Sequence, residues 1–151
     1  MPAGSRVRVM DVLPEWEEGT VAVLCTMGDE PHAIPVSTAV RAGPRRILLA
    51  LALGRRSLAL LRARPRVALT ILAQDVALTV DCAASIRQEP MEAHDGVAAV
   101  ALEVESFQDH RQPRFAMEEP VRWRWVDDDA READERVRAG LRALAEQDAG
   151  S

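Results

Sequence analysis

The residues best suited to chemistry lie in one short segment, Gly54-Arg55-Arg56-Ser57. The segment follows an apolar run and opens a predicted short helix, with Ser57 as its N-cap and Arg64-Pro65 at its end. A helix N-terminus offers unpaired backbone N–H groups and partial positive charge, and Arg adds bidentate hydrogen bonds to an anion. Residues 54–66 hold five Arg and no acid, in a chain whose net charge is −5. The segment therefore predicts a phosphate site; the alternative is a solvated arginine-rich loop.

The other reactive side chains form no catalytic or metal-binding pattern. His32, His94, His110 and the two Cys lack metal-ligand spacing, so no metal site is expected. Cys25 and Cys82 are interpreted as reduced core thiols. No GxSxG sequence supports Ser-His-Asp catalysis. His32 opens a predicted strand, where a surface or strand-capping role is the alternative to a chemical one.

Composition excludes several classes of protein. The 151 residues are 48% apolar and 28% charged, which is typical of one soluble globular domain spanning 1–151. All 19 basic residues are Arg, so Schiff-base chemistry and a P-loop lysine are excluded. The acidic balance and the five aromatic residues argue against nucleic-acid binding. The N-terminal residues contain no apolar run of signal-peptide length, and no run in the chain approaches the length of a membrane span, so we expect a cytoplasmic protein without membrane contact.

Apolar patterning indicates which elements must position the basic segment. Predicted strands cover 20–27, 32–40, 47–53, 66–72, 76–87 and 97–107. Predicted helices cover 11–18, 57–64 and 129–147, and the last carries Val137, Leu141 and Leu144 on one face. The expected fold class is mainly β with short helices (α+β): a closed or half-closed barrel of six or seven mostly antiparallel strands, plus a C-terminal helix. The barrel core is expected at about 12–126.

A further strand is predicted within 115–126, where two Trp alternate with two Arg in Arg122-Trp123-Arg124-Trp125. A period of two puts Trp123 and Trp125 on one face of a strand. We interpret both as core or interface residues, and ring-stacking on a ligand is the alternative.

The order of segments resembles the pyridoxamine 5′-phosphate oxidase-like family of flavin-binding split barrels. The resemblance covers about 12–107 and rests on Thr26, the Gly28-Asp29 turn, Pro31-His32 and Pro35-Val36. An apolar strand, the basic segment with Ser57, a short helix and Pro65-Arg66-Val67 follow in the family's order. The resemblance implies a single FMN-binding split-barrel domain.

The resemblance also implies a site. Proteins similar to this one are homodimers that hold two FMN, or sometimes a deazaflavin coenzyme, across the subunit interface. The implied ring-binding residues are Pro35, Val36, Ser37 and Thr38. The implied phosphate ligands are Arg55, Arg56 and Ser57, which the charge pattern indicates independently. Leu49, Ala50 and Leu51 would line the cofactor from the neighbouring strand.

The function implied is an FMN-dependent oxidoreductase acting on a small molecule that the sequence does not identify. His32 is the one nearby candidate for proton transfer, and exchange with water is the alternative. Family members commonly carry Lys where Arg56 stands, often have a Gly near Cys82, and end in an Arg- and His-bearing substrate motif. Because this chain ends in an acidic helix, it is not expected to be a true pyridoxamine phosphate oxidase. The alternative function is a non-catalytic barrel that binds flavin, deazaflavin, haem or no cofactor.

Overall fold

The computed structural model describes residues 9–150. Within them the chain forms seven strands and two helices: β1 (Ala22–Met27), β2 (Pro31–Val36), β3 (Val40–Gly43), β4 (Arg46–Ala52), α1 (Arg56–Ala63), β5 (Arg66–Ala73), β6 (Val76–Gln88), β7 (Val97–Asp109) and α2 (Asp128–Ala149). All strand pairs are antiparallel, in one sheet of order β2-β1-β5-β6-β7-β4-β3. The predicted fold class is confirmed.

The connection between β2 and β3 curls the sheet into a barrel. These strands are consecutive in the chain, yet they lie at opposite edges of the sheet. The edges of a flat seven-stranded sheet would lie about 29 Å apart, whereas the link through residues 37–39 spans at most about 14 Å. The two edges therefore approach each other, and the sheet is a barrel that is not closed by strand pairing.

Strand β4 is buried on both faces, which explains its continuous apolar run. Leu49 points into the barrel core, whereas Leu48 lies in a second apolar cluster on the outside of β3, β4 and β7. Helix α2 covers that cluster with the three residues predicted for its apolar face, Val137, Leu141 and Leu144. The helix begins at Asp128, one residue before the predicted start, because the Asp127 side chain caps it by accepting hydrogen bonds from the N–H groups of Asp129 and Ala130.

Two expected elements are absent from the described residues. Residues 11–18 form no helix. Tertiary hydrogen bonds tie this segment to the barrel instead: the N–H of Leu13 donates to the carbonyl of Pro44, and Trp16 Nε1 donates to the carbonyl of Ala39. Residues 115–126 form no strand. Trp123 and Trp125 still meet, with ring centroids 5.5 Å apart, but no ladder joins the segment to the sheet.

Two other boundaries differ from the prediction. The expected strand 32–40 is divided into β2 and β3, since the chain crosses between the two sheet edges at 37–39. Helix α1 begins at Arg56 with Arg55 as its N-cap residue, so Ser57 lies inside the first turn and is not the N-cap. The helix ends before Arg64-Pro65 as predicted.

Candidate functional site

The basic segment is held by the turn that joins β4 to α1. The N–H of Arg55 donates to the carbonyl of Ala52 at 3.0 Å, and the N–H of Leu58 donates to the carbonyl of Arg55 at 3.2 Å. Leu58 and Leu61 are buried in the barrel core and fix the helix in place. No other heavy atom lies within 4 Å of the position that a Cβ at Gly54 would occupy. The N-terminus of α1 is thus anchored beside open space.

The five arginines of residues 54–66 divide into two groups. Three have partners, since Arg62 pairs with Glu89, Arg66 pairs with Glu105, and Arg64 donates to the carbonyl of Gly28. Arg55 and Arg56 are exposed, and neither side chain has an ion pair or hydrogen bond within residues 9–150. The two guanidinium groups at the helix N-terminus are therefore the ones available to an anion.

Ser57 differs from these two arginines because it is fully buried, with 0% of its surface exposed. Its hydroxyl oxygen has no hydrogen-bond partner within the described chain. A buried hydroxyl without a partner costs about 1–3 kcal/mol. A hydrogen-bond partner for this hydroxyl would therefore stabilise the fold. Of the three predicted phosphate ligands, Ser57 is the least accessible to an incoming anion.

The predicted ring segment, residues 35–38, adjoins β4. Pro35 is exposed, Val36 is buried, and Ser37 and Thr38 are half-buried. The hydroxyl of Thr38 accepts a hydrogen bond from the N–H of Ala50 at 3.0 Å and donates to its carbonyl at 3.3 Å. Because β4 then leads through Ala52 to Arg55, the structure brings the ring segment and the basic segment to the same strand.

The remaining predicted residues contribute less to an accessible site. The side chains of Leu49 and Leu51 are buried in the barrel core, so β4 has Ala50 and its backbone to offer a ligand. His32 lies near the start of β2, about 13 Å along the strand from Val36. The structure therefore does not bring His32 to the ring segment.

Part of the barrel surface, here called the open wall, is made of eight outward-facing residues on β2, β1, β5 and β6; Arg66, which pairs with Glu105, lies beyond one end of it. Two cross-strand rows define it: Pro35, Val23, Thr70 and Thr79, and Ala33, Cys25, Ala68 and Asp81. All eight are exposed or half-buried, and Asp81 is the one charged residue among them. Helix α2 packs on β3 and β4 instead. Pro35 belongs to this wall, so the ring segment borders a weakly charged surface.

Sequence reasoning missed a cavity of about 610 Å³ that is lined by Trp123 and Trp125, among others, and not by the predicted site residues. Its walls come from the segment before β1, from residues 118–125 and from α2. The Trp–Arg alternation was the available signal, although periodicity alone does not indicate a cavity.

The architecture defines the class of protein: a split β-barrel with a C-terminal helix. A protein from Listeria innocua assigned as a pyridoxamine 5′-phosphate oxidase is 15% identical, with a TM-score of 0.51 over 60% of this chain and 88% of that one. A protein from Lactobacillus delbrueckii assigned the same activity is also 15% identical, with a TM-score of 0.52 over 60% and 84% of the two chains. BorF, the flavin reductase component of a bacterial two-component tryptophan halogenase, is 13% identical, with a TM-score of 0.50 over 62% and 81%.

At these identities the likeness establishes the fold, and it confirms the resemblance predicted from the order of segments at that level. No protein-family model and no curated protein matches the chain. None of the helices within residues 9–150 combines the length and the apolar character needed to cross a membrane.

Proposed function

We propose that the protein binds FMN and acts as a flavin-dependent oxidoreductase on a small-molecule substrate. One observation carries the proposal: Arg55 and Arg56 are unpartnered within the described chain and stand at the N-terminus of α1. A phosphate there would accept hydrogen bonds from both guanidinium groups and from backbone N–H groups of the first turn. The hydroxyl of Ser57 lies in that same turn and has no partner within the described chain, but it is fully buried, so the proposed phosphate contacts rest on the two arginines and the backbone.

FMN, when bound, supplies the electron transfer, because the flavin ring accepts and releases a hydride. The chain supplies binding and orientation. Residues 35–38 would hold the ring, since Thr38 is fixed to β4 by two hydrogen bonds while Pro35 stays exposed. Leu49 and Leu51 support this strand from inside the barrel. Because His32 lies at the other end of β2, protons would exchange with water.

The solved structures of the same fold support a flavin more than FMN in particular. BorF is described as a flavin reductase component, which fits the proposed chemistry. A deazaflavin coenzyme also carries a phosphate, so the same arginines would bind it, and it is the alternative cofactor. The visible absorption of the purified protein distinguishes the two, and would also identify haem.

A homodimer is part of the proposal. The ring segment borders the open wall, which carries one charged residue and which α2 does not cover. Surfaces of this kind mark interfaces. A second copy packed against the wall would enclose a flavin ring that a single chain leaves exposed at Pro35.

We also propose a cytoplasmic location, which the state of the cysteines supports. Cys25 and Cys82 are free thiols on β1 and β6. Strand β5 lies between them, so about 10 Å separates their backbones, too far for a disulfide. Burial raises the pKa of Cys82 to about 12, so this thiol stays protonated and inert.

A second candidate function is a flavin carrier without catalysis. It is favoured by residues 35–38, which include no titratable side chain, and by the distance of His32 from them. The two candidates differ in turnover, because a carrier binds flavin but does not speed its reduction by nicotinamide nucleotides.

The central test is a titration of the purified protein with FMN and with riboflavin, which lacks the phosphate. Wild type should bind FMN at least about 100-fold more tightly than riboflavin, since two charge-assisted contacts are lost with the phosphate. Arg55→Glu combined with Arg56→Glu should remove that preference. Arg114→Glu combined with Arg136→Glu makes the same charge change at exposed positions elsewhere and should leave it intact. Equal affinity of the wild type for both flavins would contradict the proposal.

A further inference from the structure

All three tryptophans of the chain converge on one surface groove. Trp123 and Trp125 line the cavity of about 610 Å³, and Trp16 lines a neighbouring cavity of about 540 Å³. The two cavities share the wall residues Glu17, Thr20, Gln74 and Pro120, so they form one continuous depression, here called the tryptophan groove. Each volume falls within the range of small-molecule sites.

Hydrogen bonds fix two of the three indole rings. Trp123 Nε1 donates to the carbonyl of Gly19 at 2.7 Å, and Trp16 Nε1 donates to the carbonyl of Ala39 at 2.9 Å. These two N–H groups are thus already used, and a ligand would meet the π-faces instead. Trp125 stands at 82° to Trp123, so the pair forms a corner, with 38% of Trp123 and 41% of Trp125 exposed.

The charges around the groove favour a cation. Two of its basic residues are neutralised, since Arg131 pairs with Glu135 and Arg138 pairs with Asp134. Two more, Arg122 and Arg124, have no ion pair within residues 9–150. Against them stand five carboxylates that have no ion pair there either: Glu15, Glu17, Asp75, Glu118 and Glu119. The unneutralised charge of the groove is negative.

A metal ion does not fit this arrangement. Within the described residues, no three His, Cys, Asp or Glu side chains come close enough together to hold one. The carboxylates are spread along the groove, on the segment before β1, at Asp75 and on residues 118–119, and are not gathered around one point. Diffuse negative charge beside indole faces suits a large, weakly hydrated cation.

We propose that the tryptophan groove binds an organic ammonium ion, with the cation against the faces of Trp123 and Trp125 and with the carboxylates supplying charge. Cation–π attraction is strongest on Trp and recognises alkylated ammonium groups. This site is separate from the basic segment, so it does not depend on the proposed flavin function.

The test uses the intrinsic fluorescence of the full-length protein, because every Trp of the chain lies in the groove. The probe is choline chloride, titrated at constant ionic strength against sodium chloride. Its neutral isostere, 3,3-dimethylbutan-1-ol, has the same shape without the charge. We expect saturable binding of choline, with the isostere about tenfold weaker or more.

Variants assign the binding to the groove. Trp125→Leu should weaken choline binding about fivefold to tenfold, while Trp125→Phe, which keeps an aromatic face, should retain most of the affinity. Glu118→Gln combined with Glu119→Gln should weaken it and reduce its salt dependence. Glu132→Gln removes an exposed carboxylate of α2 outside the groove and should change nothing. Isothermal calorimetry repeats each titration without the fluorescence signal.

Three results would overturn the proposal. One is the absence of saturable binding up to about 100 mM choline, because a dissociation constant above that concentration would mean no specific affinity. Another is equal binding of choline and its neutral isostere. The third is unchanged affinity in Trp125→Leu, provided that circular dichroism shows the variant to be folded; if it is unfolded, the glutamate pair and Trp125→Phe decide.

Discussion

The hydroxyl of Thr38 is hydrogen-bonded to both backbone groups of Ala50, accepting from its N–H and donating to its carbonyl. Thr38 lies in the link between the two edge strands, and Ala50 lies on β4. The Thr38 side chain thus satisfies the two backbone groups of Ala50 that a neighbouring strand would otherwise bond. It fastens the connection between β2 and β3 at the place where the barrel is not closed by pairing.

Thr38→Val should therefore lower the free energy of unfolding by about 1–3 kcal/mol, because it leaves two half-buried backbone groups without partners. Urea unfolding measures the change. Thr70→Val is the matched control: its hydroxyl bonds the hydroxyl of Thr79 at 2.8 Å, with no backbone group involved, and it should cost less. An equal loss in both variants would show that Thr38 has no special role.

We expect the protein to dimerise through the open wall. Light scattering at low micromolar concentration should give a particle of two 16.6 kDa chains. Thr70→Arg puts a charge in the middle of the wall and should give a monomer, since a buried unpaired charge is strongly unfavourable. Ala139→Arg places the same charge on the exposed side of α2 and should remain a dimer. A light-scattering mass of one chain for the wild-type protein would contradict the prediction.

How much of this could be predicted from the sequence depends on the range of the interactions involved. Local alternation was enough for most strands, and the spacing of Val137, Leu141 and Leu144 was enough for the buried face of α2. The division between Val36 and Val40 was not predictable, because both flanking residues are β-branched and apolar and the break is imposed by closure of the barrel.

The site was predictable in part for the same reason. The basic charge and the helix start near Arg55 and Arg56 are local, and the structure keeps both residues unpartnered within its described range. The tryptophan groove was missed because Trp16 and Trp123 are about a hundred residues apart, and no periodicity relates them.

The end of α2 predicts a pH dependence of stability. Arg87, and then Arg46, hold the pKa of Asp148 below its usual range through hydrogen bonds at 2.9 and 2.7 Å. A carboxylate with a lowered pKa stabilises the fold above its unfolded pKa, about 4, and this stabilisation is lost as pH falls through the folded value. Asp148→Asn should thus be less stable than wild type at neutral pH, and the difference should shrink below about pH 4.

Chemical denaturation at a series of pH values measures that difference. Glu132→Gln, an exposed change on the same helix, should stay within about 0.5 kcal/mol of the wild type throughout. A gap between Asp148→Asn and wild type that persists unchanged into acid would show that the ion pairs are not its cause.

The last prediction concerns the substrate: the protein should not oxidise pyridoxamine 5′-phosphate. That reaction needs a second phosphate site. The cluster of arginines that the sequence offers for it outside the basic segment lies within residues 111–124: Arg111, Arg114, Arg122 and Arg124. Arg111 is engaged, because it hydrogen-bonds Asp109 and holds the pKa of that carboxyl below its usual range. Arg122 and Arg124 line the tryptophan groove beside Glu118 and Glu119, whose charges oppose a phosphate. Arg114 is left, and a single exposed arginine does not make a phosphate site. The FMN-loaded protein should therefore form neither hydrogen peroxide nor pyridoxal 5′-phosphate in air at an enzyme rate, above roughly 1 per second. Reoxidation of the chemically reduced flavin in the same sample is the control, because it shows that the bound cofactor can react with oxygen. Product formation above that rate would prove the prediction wrong.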